Sequence, residues 1–550
     1  MPLYQTHDFE IPEETAEVAQ AAFPKGNAYM TMRDRLGPLF GDADFAALFS
    51  WRGQAGLSPG LLAMVTVMQY MEGLTDRQTA EAVRSRIDWK YALGLSLKYA
   101  GFDYSILSPF RERLLAGHQE ALLFERILER LKEQGLLKHK AQQRTDSTHV
   151  LAAVRNLNRL ECVGETLRRV LDDLARLAPD WLLTQITPDW FERYSRRFEA
   201  YRLPDKLAER EALQLQIGQD GSVLLTAIYS EHAPVWLREL PAVGVMCQIW
   251  IQQYYIESGQ IQWRDNENLP PHKFLIVSPD DIEARNRTKR DINWTGYAAH
   301  LTETCQPSGP HIITHVETTP ATTADVELPD TIHQALAAKD LLPDEHLVDT
   351  GYTSVDHLLN SQRHYHLDLI GPLAGGGSWQ ANDEQGFDVS CFTIAWDHQV
   401  VTCPQGKFSQ SWHLRQEKYG HEYVQVRFAP SDCQACPRQA DCTHAKRGVR
   451  VLSFKPQAQY EALVAARQRQ QTPEFKAKYK KRAGIEGTIS QGTRSFNLRR
   501  SHYIGLAKTH LQHLVTAAAM NLTRVVTWWL EGEPEPHLYR SPFAKLAPVT

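Results

Sequence analysis

The sequence predicts a multidomain α/β protein, and three observations lead to this fold class. The chain has 550 residues, more than a single hydrophobic core usually serves. Apolar residues recur at helical spacing in the first 135 residues and again near the C-terminal end. Between these two parts, short apolar runs alternate with helical stretches, as in an α/β core. We therefore expect a helical N-terminal domain, an α/β core and a helical C-terminus.

The N-terminal domain, 1–135, contains residues that typically start and stop helices. Ser58 followed by Pro59 is an N-cap pattern, and Gly73 ends the apolar run that follows. Thr75, with Gln78 three residues later, predicts a capping box at the start of a second helix. This helix–glycine–helix unit fits either an ordinary helical bundle or a helix-turn-helix that binds DNA.

The predicted α/β core begins in the segment 138–374. A first strand is expected at 141–146, two more at 297–302 and 311–316, and short buried strands at 346–349 and 367–370. A helical stretch at about 160–262 separates the first strand from the others. We expect this stretch to be an insertion into the core.

The rest of the chain changes character three times. Three glycines at 375–377 introduce a segment, 375–470, that contains a cysteine cluster and short β-like runs. The segment 471–532 is helical again and ends in a long amphipathic helix. The last segment, 533–550, is rich in proline and is expected to be a loose tail.

Composition excludes several protein classes. Hydrophobic residues make up 43% of the chain, yet no run of about 18 apolar residues predicts a membrane span. The N-terminus lacks the apolar stretch of a secretory signal, so we expect a cytoplasmic protein. Net charge is −5, but the segment 475–508 contains nine Lys and Arg residues and one acid. Such a local excess can bind phosphates, because salt screens each charge beyond about 8–10 Å.

Three acidic residues stand where a metal-dependent phosphoryl-transfer enzyme would need them. Asp146 and Asp349 end two predicted strands, and Glu486 lies on the C-terminal helical segment. Carboxylate oxygens suit Mg²⁺, and two such ions can activate the attacking and leaving oxygens of a phosphate. The chain has 65 acidic residues, and an arbitrary aspartate is usually a turn or cap residue, so the carboxylates alone are weak evidence.

The flanking residues make the pattern more specific. Tyr479, Arg482 and Glu486 have the spacing of the Tyr-Arg-Glu signature, and the chain resembles bacterial insertion-sequence transposases of the DDE type, with a cysteine cluster in addition. The stretches DSTHV, WTGYAAHLT, VDTGYTS, FNLRRSHYIGLAK and TAAAMNLTR are similar to that family's motifs in the same order. One position departs from the signature. A lysine usually follows the glutamate by seven residues, but Thr493 occupies that position and Arg494 follows it.

The resemblance implies a ribonuclease H-like catalytic core in which Asp146, Asp349 and Glu486 hold two Mg²⁺ or Mn²⁺ ions. It implies an enzyme that binds the terminal inverted repeats of its element, cleaves the DNA and joins the ends to target DNA. We expect it to act on DNA as a homodimer. Candidate DNA-binding residues around the glutamate are Tyr479, Lys480, Lys481, Arg482, Arg494, Arg499 and Arg500.

Two other functions fit the same sequence. A ribonuclease H-like DNA nuclease without strand transfer would use the same carboxylates. A domesticated DNA-binding protein that has lost catalysis would not need them, so the intact Asp146, Asp349 and Glu486 argue against it.

The cysteine cluster predicts a second metal site. Cys433 and Cys436 form a CxxC pair, Cys442 follows six residues later, and Cys403 lies 30 residues upstream of the pair. Thiolates bind Zn²⁺ well, and a small β domain with little core gains stability from a metal. We expect a structural zinc on these four cysteines, with His444 as a possible substitute ligand and reduced thiols without metal as the alternative.

Overall fold

The structure is a computed structural model that describes residues 4–50, 55–289, 291–375, 377–383, 385–417 and 420–532. The chain forms two compact units. Unit 1 consists of Met1–Lys138, Asp146–Thr323 and Ile485–Thr550, and unit 2 consists of His139–Thr145 and Ala324–Gly484. Both helices and strands occur, which confirms the multidomain α/β class. The predicted loose tail, 533–550, lies outside the described residues.

The described N-terminal part of unit 1 is helical. Its helices are α1 (Glu13–Ala22), α2 (Ala28–Leu36), α3 (Pro59–Glu72), α4 (Asp76–Ser85), α5 (Ile87–Leu93), α6 (Leu107–Ala116) and α7 (Leu122–Glu133). The predicted caps are present. Ser58 Oγ accepts a hydrogen bond from the Leu61 amide at 3.1 Å, and Gly73 ends α3 with a φ of 65°. Thr75 and Gln78 form the capping box of α4.

Strand β1 (Gln143–Leu151) takes part in both units, because the unit boundary falls between Thr145 and Asp146. The sequence predicted a strand that ends at Asp146, and this end is wrong by five residues. The strand continues because Thr148 and Val150 are buried and extend the alternating pattern. Asp146 therefore lies within the strand.

The helical region that follows β1 has a core of its own. Its elements are α8 (Arg159–Leu177), α9 (Pro179–Leu183), α10 (Asp189–Tyr194), α11 (Leu207–Ile228), α12 (Pro241–Gln253), β2 (Tyr254–Glu257) and β3 (Gln260–Trp263). Their buried side chains form one cluster with members from Leu160 to Ile276. Gly221 of α11 permits close packing, since a Cβ there would lie 2.0 Å from the Trp250 ring. The predicted helical character of this stretch is confirmed, although it ends in a β-hairpin.

Three antiparallel strands complete the sheet of unit 1. They are β4 (Arg285–Lys289), β5 (Ile292–Thr304) and β6 (Ile313–Pro320). Strand β5 pairs with β4 along its first half and with β6 along its second half, and it also neighbours β1. Gly296 is required where β5 approaches the end of β1. Its φ is 151°, and an added Cβ would lie 2.2 Å from the Val150 carbonyl oxygen.

Unit 2 contains the parallel strands. Its first elements are α13 (Pro329–Ala338), β7 (Glu345–Leu347), α14 (Val355–Tyr365) and β8 (Asp368–Ile370). The start of β1 pairs in parallel with β7, and β7 pairs in parallel with β8. A buried hydrogen-bond chain supports this pairing. Thr145 Oγ1 is 2.6 Å from His346 Nε2, and His346 Nδ1 is 2.8 Å from His333 Nε2.

The cysteine-containing part of unit 2 has two small sheets. Its elements are α15 (Trp379–Asn382), β9 (Thr393–Ala395), β10 (Val400–Thr402), β11 (Ser409–Gln416), β12 (Glu422–Phe428), α16 (Pro430–Gln434), α17 (Gln439–Cys442) and β13 (Val451–Phe454). Strands β9 and β10 pair with each other, and β12 lies between β11 and β13. The buried core here has only seven apolar side chains, among them Val426 and Phe428. Such a small core is consistent with a domain that needs another source of stability.

Four helices end the described chain. They are α18 (Gln457–Gln471), α19 (Pro473–Lys480), α20 (Gly484–Ser495) and α21 (Leu506–Glu531). Helix α21 packs on β6, and the Asn521 side chain makes two 2.8 Å hydrogen bonds with the backbone of Ile313. Within the described ranges no helix, α21 included, combines the length and apolarity needed to cross a membrane.

A buried ion pair joins α20 and α21 to β5. Glu303 is fully buried, and its Oε2 accepts hydrogen bonds from Arg524 at 3.0 Å and from the Thr488 hydroxyl at 2.5 Å. Arg524 also donates to Thr488 Oγ1, to the Gln491 side chain and to the His311 carbonyl oxygen. A buried charge is stable only when it is paired and hydrogen-bonded, so these contacts depend on one another.

We predict that Arg524→Met destabilises unit 1 by about 3–5 kcal/mol, because Glu303 is then buried without its cation. Thr488→Val should cost about 1–2 kcal/mol, because the hydrogen bond that Thr488 donates to Glu303 and the one it accepts from Arg524 are both lost. Urea unfolding of the full chain measures both changes. Arg176→Met is the control, since that side chain is 73% exposed and its removal should change stability by less than about 0.5 kcal/mol. A loss below about 1 kcal/mol for Arg524→Met contradicts the prediction.

The second prediction concerns pH. His513 is fully buried on α21 and hydrogen-bonded to Thr318, and burial together with nearby His510 lowers its pKa to about 3. Below about pH 6.5 the unfolded chain binds a proton on this residue that the folded chain does not. Stability should therefore fall by about 1.4 kcal/mol per pH unit as pH drops from about 6.5 toward 3.

The free energy of unfolding at pH 7.5 and pH 5 tests this prediction. His513→Gln should flatten the pH dependence by the slope of one proton, because glutamine does not titrate. His232→Gln is the control, since His232 is exposed elsewhere in unit 1. An unchanged pH dependence in His513→Gln means that the folded protein also protonates this ring.

Candidate functional site

Asp146 lies in the middle of β1 and is half-buried. Its Oδ1 accepts a hydrogen bond from the Ser147 amide at 2.8 Å. The strand beyond it is attached to the loop after α20. The Leu151 amide donates to the Arg499 carbonyl oxygen at 2.8 Å, and the Arg499 side chain donates to Thr148 Oγ1 at 2.7 Å. Unit 1 therefore joins β1 to a segment that follows Glu486 in the chain.

Glu486 lies in the first turn of α20 and is exposed. Its neighbours fix the helix: Ile485 is buried, and Thr488 donates to Glu303. A negative charge is favourable at a helix N-terminus because of the backbone dipole. The carboxylate is therefore held on a well-anchored helix but open to solvent.

Asp349 lies in unit 2, two residues after β7. Its Oδ1 accepts a hydrogen bond from the Gly351 amide at 2.9 Å, and its Oδ2 is 3.9 Å from an Arg482 nitrogen. The Arg482 side chain is only 15% exposed, so it balances the charge of Asp349 more effectively than a surface arginine would.

A second carboxylate lies close to Asp349. A Cβ added to Gly351 would be 3.0 Å from Asp349 Oδ1 and 3.1 Å from Asp325 Oδ2. Sequence reasoning missed Asp325, because it begins a short 3-10 helix, Asp325–Glu327, before α13 and no motif marks it. Gly351 is the residue that lets the two acidic side chains come this close.

The segment between α19 and α20 is fixed by Arg144 of β1. Arg144 donates to the Lys481 carbonyl oxygen at 2.6 Å, and its guanidinium occupies the space where a Cβ on Gly484 would lie. The Lys481 ammonium is 3.1 Å from Gln142 Oε1, so part of this lysine's charge is engaged. Unit 2 thus places the turn just before Glu486 by backbone contacts.

The structure divides the predicted DNA-binding residues into two groups. The first group has partners within the fold. The ring of Tyr479 stacks on that of Phe475 with centroids 5.8 Å apart. Arg482 faces Asp349, and Arg499 is hydrogen-bonded to Thr148. The other group is exposed to solvent and consists of Lys480, Lys481, Arg494 and Arg500. Thr493, at the position of the signature lysine, donates its hydroxyl hydrogen bond to the Ile489 carbonyl oxygen.

The four clustered cysteines line one cavity of about 330 Å³ in unit 2. The Lys407 amide donates to Cys403 Sγ at 3.4 Å, and an amide directed at sulfur stabilises a thiolate. Burial and the neighbouring thiols raise the pKa of Cys442 to about 11. The ring of His444 stacks on Trp379 with centroids 3.8 Å apart.

No disulfide joins any of the eight cysteines, all of which lie in described ranges. In those ranges, no group of three or more His, Cys, Asp or Glu side chains has the arrangement of a metal site. The predicted magnesium and zinc sites therefore stay predictions.

Comparison with known proteins gives two family matches. A transposase domain family (DUF772) matches residues 17–113, and a transposase DDE domain family matches residues 402–526. The second match includes Glu486 and all four clustered cysteines, whereas Asp146 and Asp349 lie outside both. No curated protein and no solved structure matches the chain. The two transposase families stand in the order expected from the sequence, and these matches indicate an insertion-sequence DDE transposase.

Proposed function

We propose that this transposase binds the terminal inverted repeats of its element, cleaves the DNA and transfers the freed 3′ ends to target DNA, with Asp146, Asp349 and Glu486 as its catalytic carboxylates. The observation that carries the proposal is the register of two strands. Arg144 pairs with Leu347, and each aspartate follows one member of that pair by two residues. Residues that follow a paired position by the same number are equivalent in the register of parallel strands.

The proposed core is ribonuclease H-like. Strand β1 pairs in parallel with β7 and also neighbours β5, whose pairs with β4 and β6 are antiparallel, and the helix with Glu486 comes late in the chain. In this proposal the helical region with α8–α12 and the cysteine-containing segment are insertions into the core, and α1–α7 form an N-terminal domain with DNA binding as one of its possible functions.

The residues present suit hard divalent cations. Asp146 and Asp349 are each held by one backbone amide, and Glu486 is exposed on a fixed helix. These carboxylates would hold two Mg²⁺ or Mn²⁺ ions, which supply Lewis-acid stabilisation of charge at the scissile phosphate. Arg482 balances the charge of Asp349.

The exposed basic residues Lys480, Lys481, Arg494 and Arg500 bind DNA phosphates in this proposal. Tyr479 and Arg482 act close to the carboxylates, and Arg499 positions β1 through Thr148. Two protomers act together as a homodimer on DNA, since an element has two ends.

The first functional prediction is loss of cleavage in Asp146→Asn, Asp349→Asn and Glu486→Gln. Each change keeps the side-chain shape and removes one charge needed for metal binding. Combining them should add little, as expected of residues that act as a unit. Binding to the element ends should stay intact, because a negative charge facing phosphate is lost.

Cleavage of a labelled element end in Mg²⁺ or Mn²⁺ measures the effect, and joining of 3′ ends into a plasmid separates a transposase from a plain nuclease. Asp397→Asn is the control, since Asp397 is exposed in the cysteine-containing segment. If any of the three variants cleaves at the wild-type rate, the residue changed in that variant is not part of the catalytic site. Absence of cleavage and joining by the wild-type chain favours the catalytically inactive DNA-binding protein.

We also propose that Cys403, Cys433, Cys436 and Cys442 hold a structural zinc. The shared cavity and the amide directed at Cys403 Sγ support this proposal. Zinc would compensate for the small apolar core of the segment.

The zinc prediction is about one zinc ion per chain, bound mainly by thiolates. The double variant Cys433→Ser with Cys436→Ser should lose it and unfold this segment at lower temperature. Cys391→Ser is the matched control, because Cys391 is exposed and does not line the cavity. The zinc content of protein purified without chelator tests this prediction. Wild-type protein that contains no zinc contradicts the proposal.

A further inference from the structure

The sheet β11–β12–β13 has one face turned away from its core. Because side chains alternate between the two faces of a strand, one face of this sheet packs into the core. Its residues are Trp412, Val424, Val426, Leu452 and Phe454. The opposite face consists of Ser411, His413, Arg415, Tyr423, Gln425, Arg427, Val451 and Ser453, all of them exposed or half-buried. This set is the outer face.

The strand register arranges the outer face in three rows. Arg415 pairs with Tyr423 at one end of the sheet. His413, Gln425 and Ser453 form the middle row. Arg427 is in the row at the other end, paired with Ser411 and Val451. Hydrogen-bonding side chains therefore lie between two arginine-containing rows.

None of the strand residues of the outer face is a carboxylate, and Glu422 of β12 alternates to the other face. The nearest acidic residue on this side is Glu417, which is exposed and follows the end of β11, two residues after Arg415. In the described ranges neither Arg415 nor Arg427 forms an ion pair. The sequence 403–455 contains nine Lys and Arg against four Asp and Glu, although the whole chain has a net charge of −5. A solvated sheet face usually mixes both signs of charge, whereas the charged strand residues of this face are both arginines.

The spacing of the two arginines is the second observation. Ser411, the partner of Arg427, is four residues from Arg415 along β11. At about 3.3 Å per residue, the two end rows are about 13 Å apart. This is close to the width of the DNA major groove, about 12 Å, which can admit a β-ribbon.

We propose that the outer face binds double-stranded DNA across the major groove. Arg415 and Arg427 contact phosphates on the two strands that border the groove, and the middle row faces the base edges. This inference rests on the proposed function in one respect, namely that DNA is the substrate of the protein. It adds a DNA contact in the cysteine-containing segment, apart from the basic residues around Glu486.

The test is binding of the full-length protein to a labelled 30-base-pair duplex, measured by fluorescence anisotropy at several salt concentrations. Arg415→Gln with Arg427→Gln should lower the slope of log affinity against log salt by about two, roughly 0.9 per lost phosphate contact. At 0.15 M salt this corresponds to a loss in affinity of about 30-fold. Arg415→Lys with Arg427→Lys should keep most of the slope, because a lysine still contacts phosphate as a point charge.

Arg176→Gln with Arg363→Gln is the control for loss of two positive charges, since both arginines are exposed on helices elsewhere. Thermal unfolding of each variant verifies that the segment is folded. The inference is overturned if the Gln variant binds like this control, or if it loses binding to single-stranded DNA but not to the duplex.

A cleavage assay on the same proteins separates the two proposals. If the wild-type chain cleaves element ends and the Gln variant binds like the control, the outer face is not a DNA contact and the proposed function stands. If the Gln variant loses salt-dependent binding and the wild-type chain does not cleave, the DNA contact stands and the proposed function is wrong.

Discussion

The burial of the Glu303 carboxylate is the constraint on which the arrangement of α20 and α21 depends. A carboxylate with no solvent exposure is strongly unfavourable unless a cation reaches it, and Arg524 comes to it from α21. The same guanidinium contacts Thr488 and Gln491, both on α20. The helix with Glu486 is therefore oriented by hydrogen bonds of fixed geometry, and apolar contacts such as those of Ile485 add to them. Directional bonds can hold a side chain to within a fraction of an ångström, which apolar packing alone does less well.

The sequence predicted five strands of the sheet, but not β4, and it predicted the caps of α3 and α4, because these depend on local patterns. It predicted a strand end at Asp146 and was wrong, since the strand continues through Ser147 to Leu151 with Thr148 and Val150 buried. It did not predict the pairing of Glu303 with Arg524, which are 221 positions apart. Nor did it predict the proximity of Asp325 to Asp349. Contacts of this kind depend on the folded path of the chain, and a single sequence contains no signal for them.

The basic segment around Glu486 was predicted as a phosphate-binding stretch, and its members differ in their surroundings. Arg482 faces a carboxylate and Arg499 is hydrogen-bonded within unit 1, while Arg494 and Arg500 are exposed. Charge counts treat these residues alike, but an arginine that is already hydrogen-bonded in the free protein has to exchange that partner for a phosphate. The net charge of a segment therefore overstates its capacity to bind DNA when some of its cations have partners in the fold.

The chain between Ala152, after β1, and Thr295 of β5 contains the helical region and β4, and its two ends lie side by side. The Ala152 amide donates to the Thr295 carbonyl oxygen at 3.0 Å, although the intervening chain contains a hydrophobic cluster of its own. A segment whose two ends already meet can grow, shrink or be replaced without shifting the strands that flank it, and longer loops add little closure entropy. Mobile elements that accumulate length changes at this point would keep an intact sheet. The same junction is a natural place to exchange the helical region for a reporter domain in an engineered element.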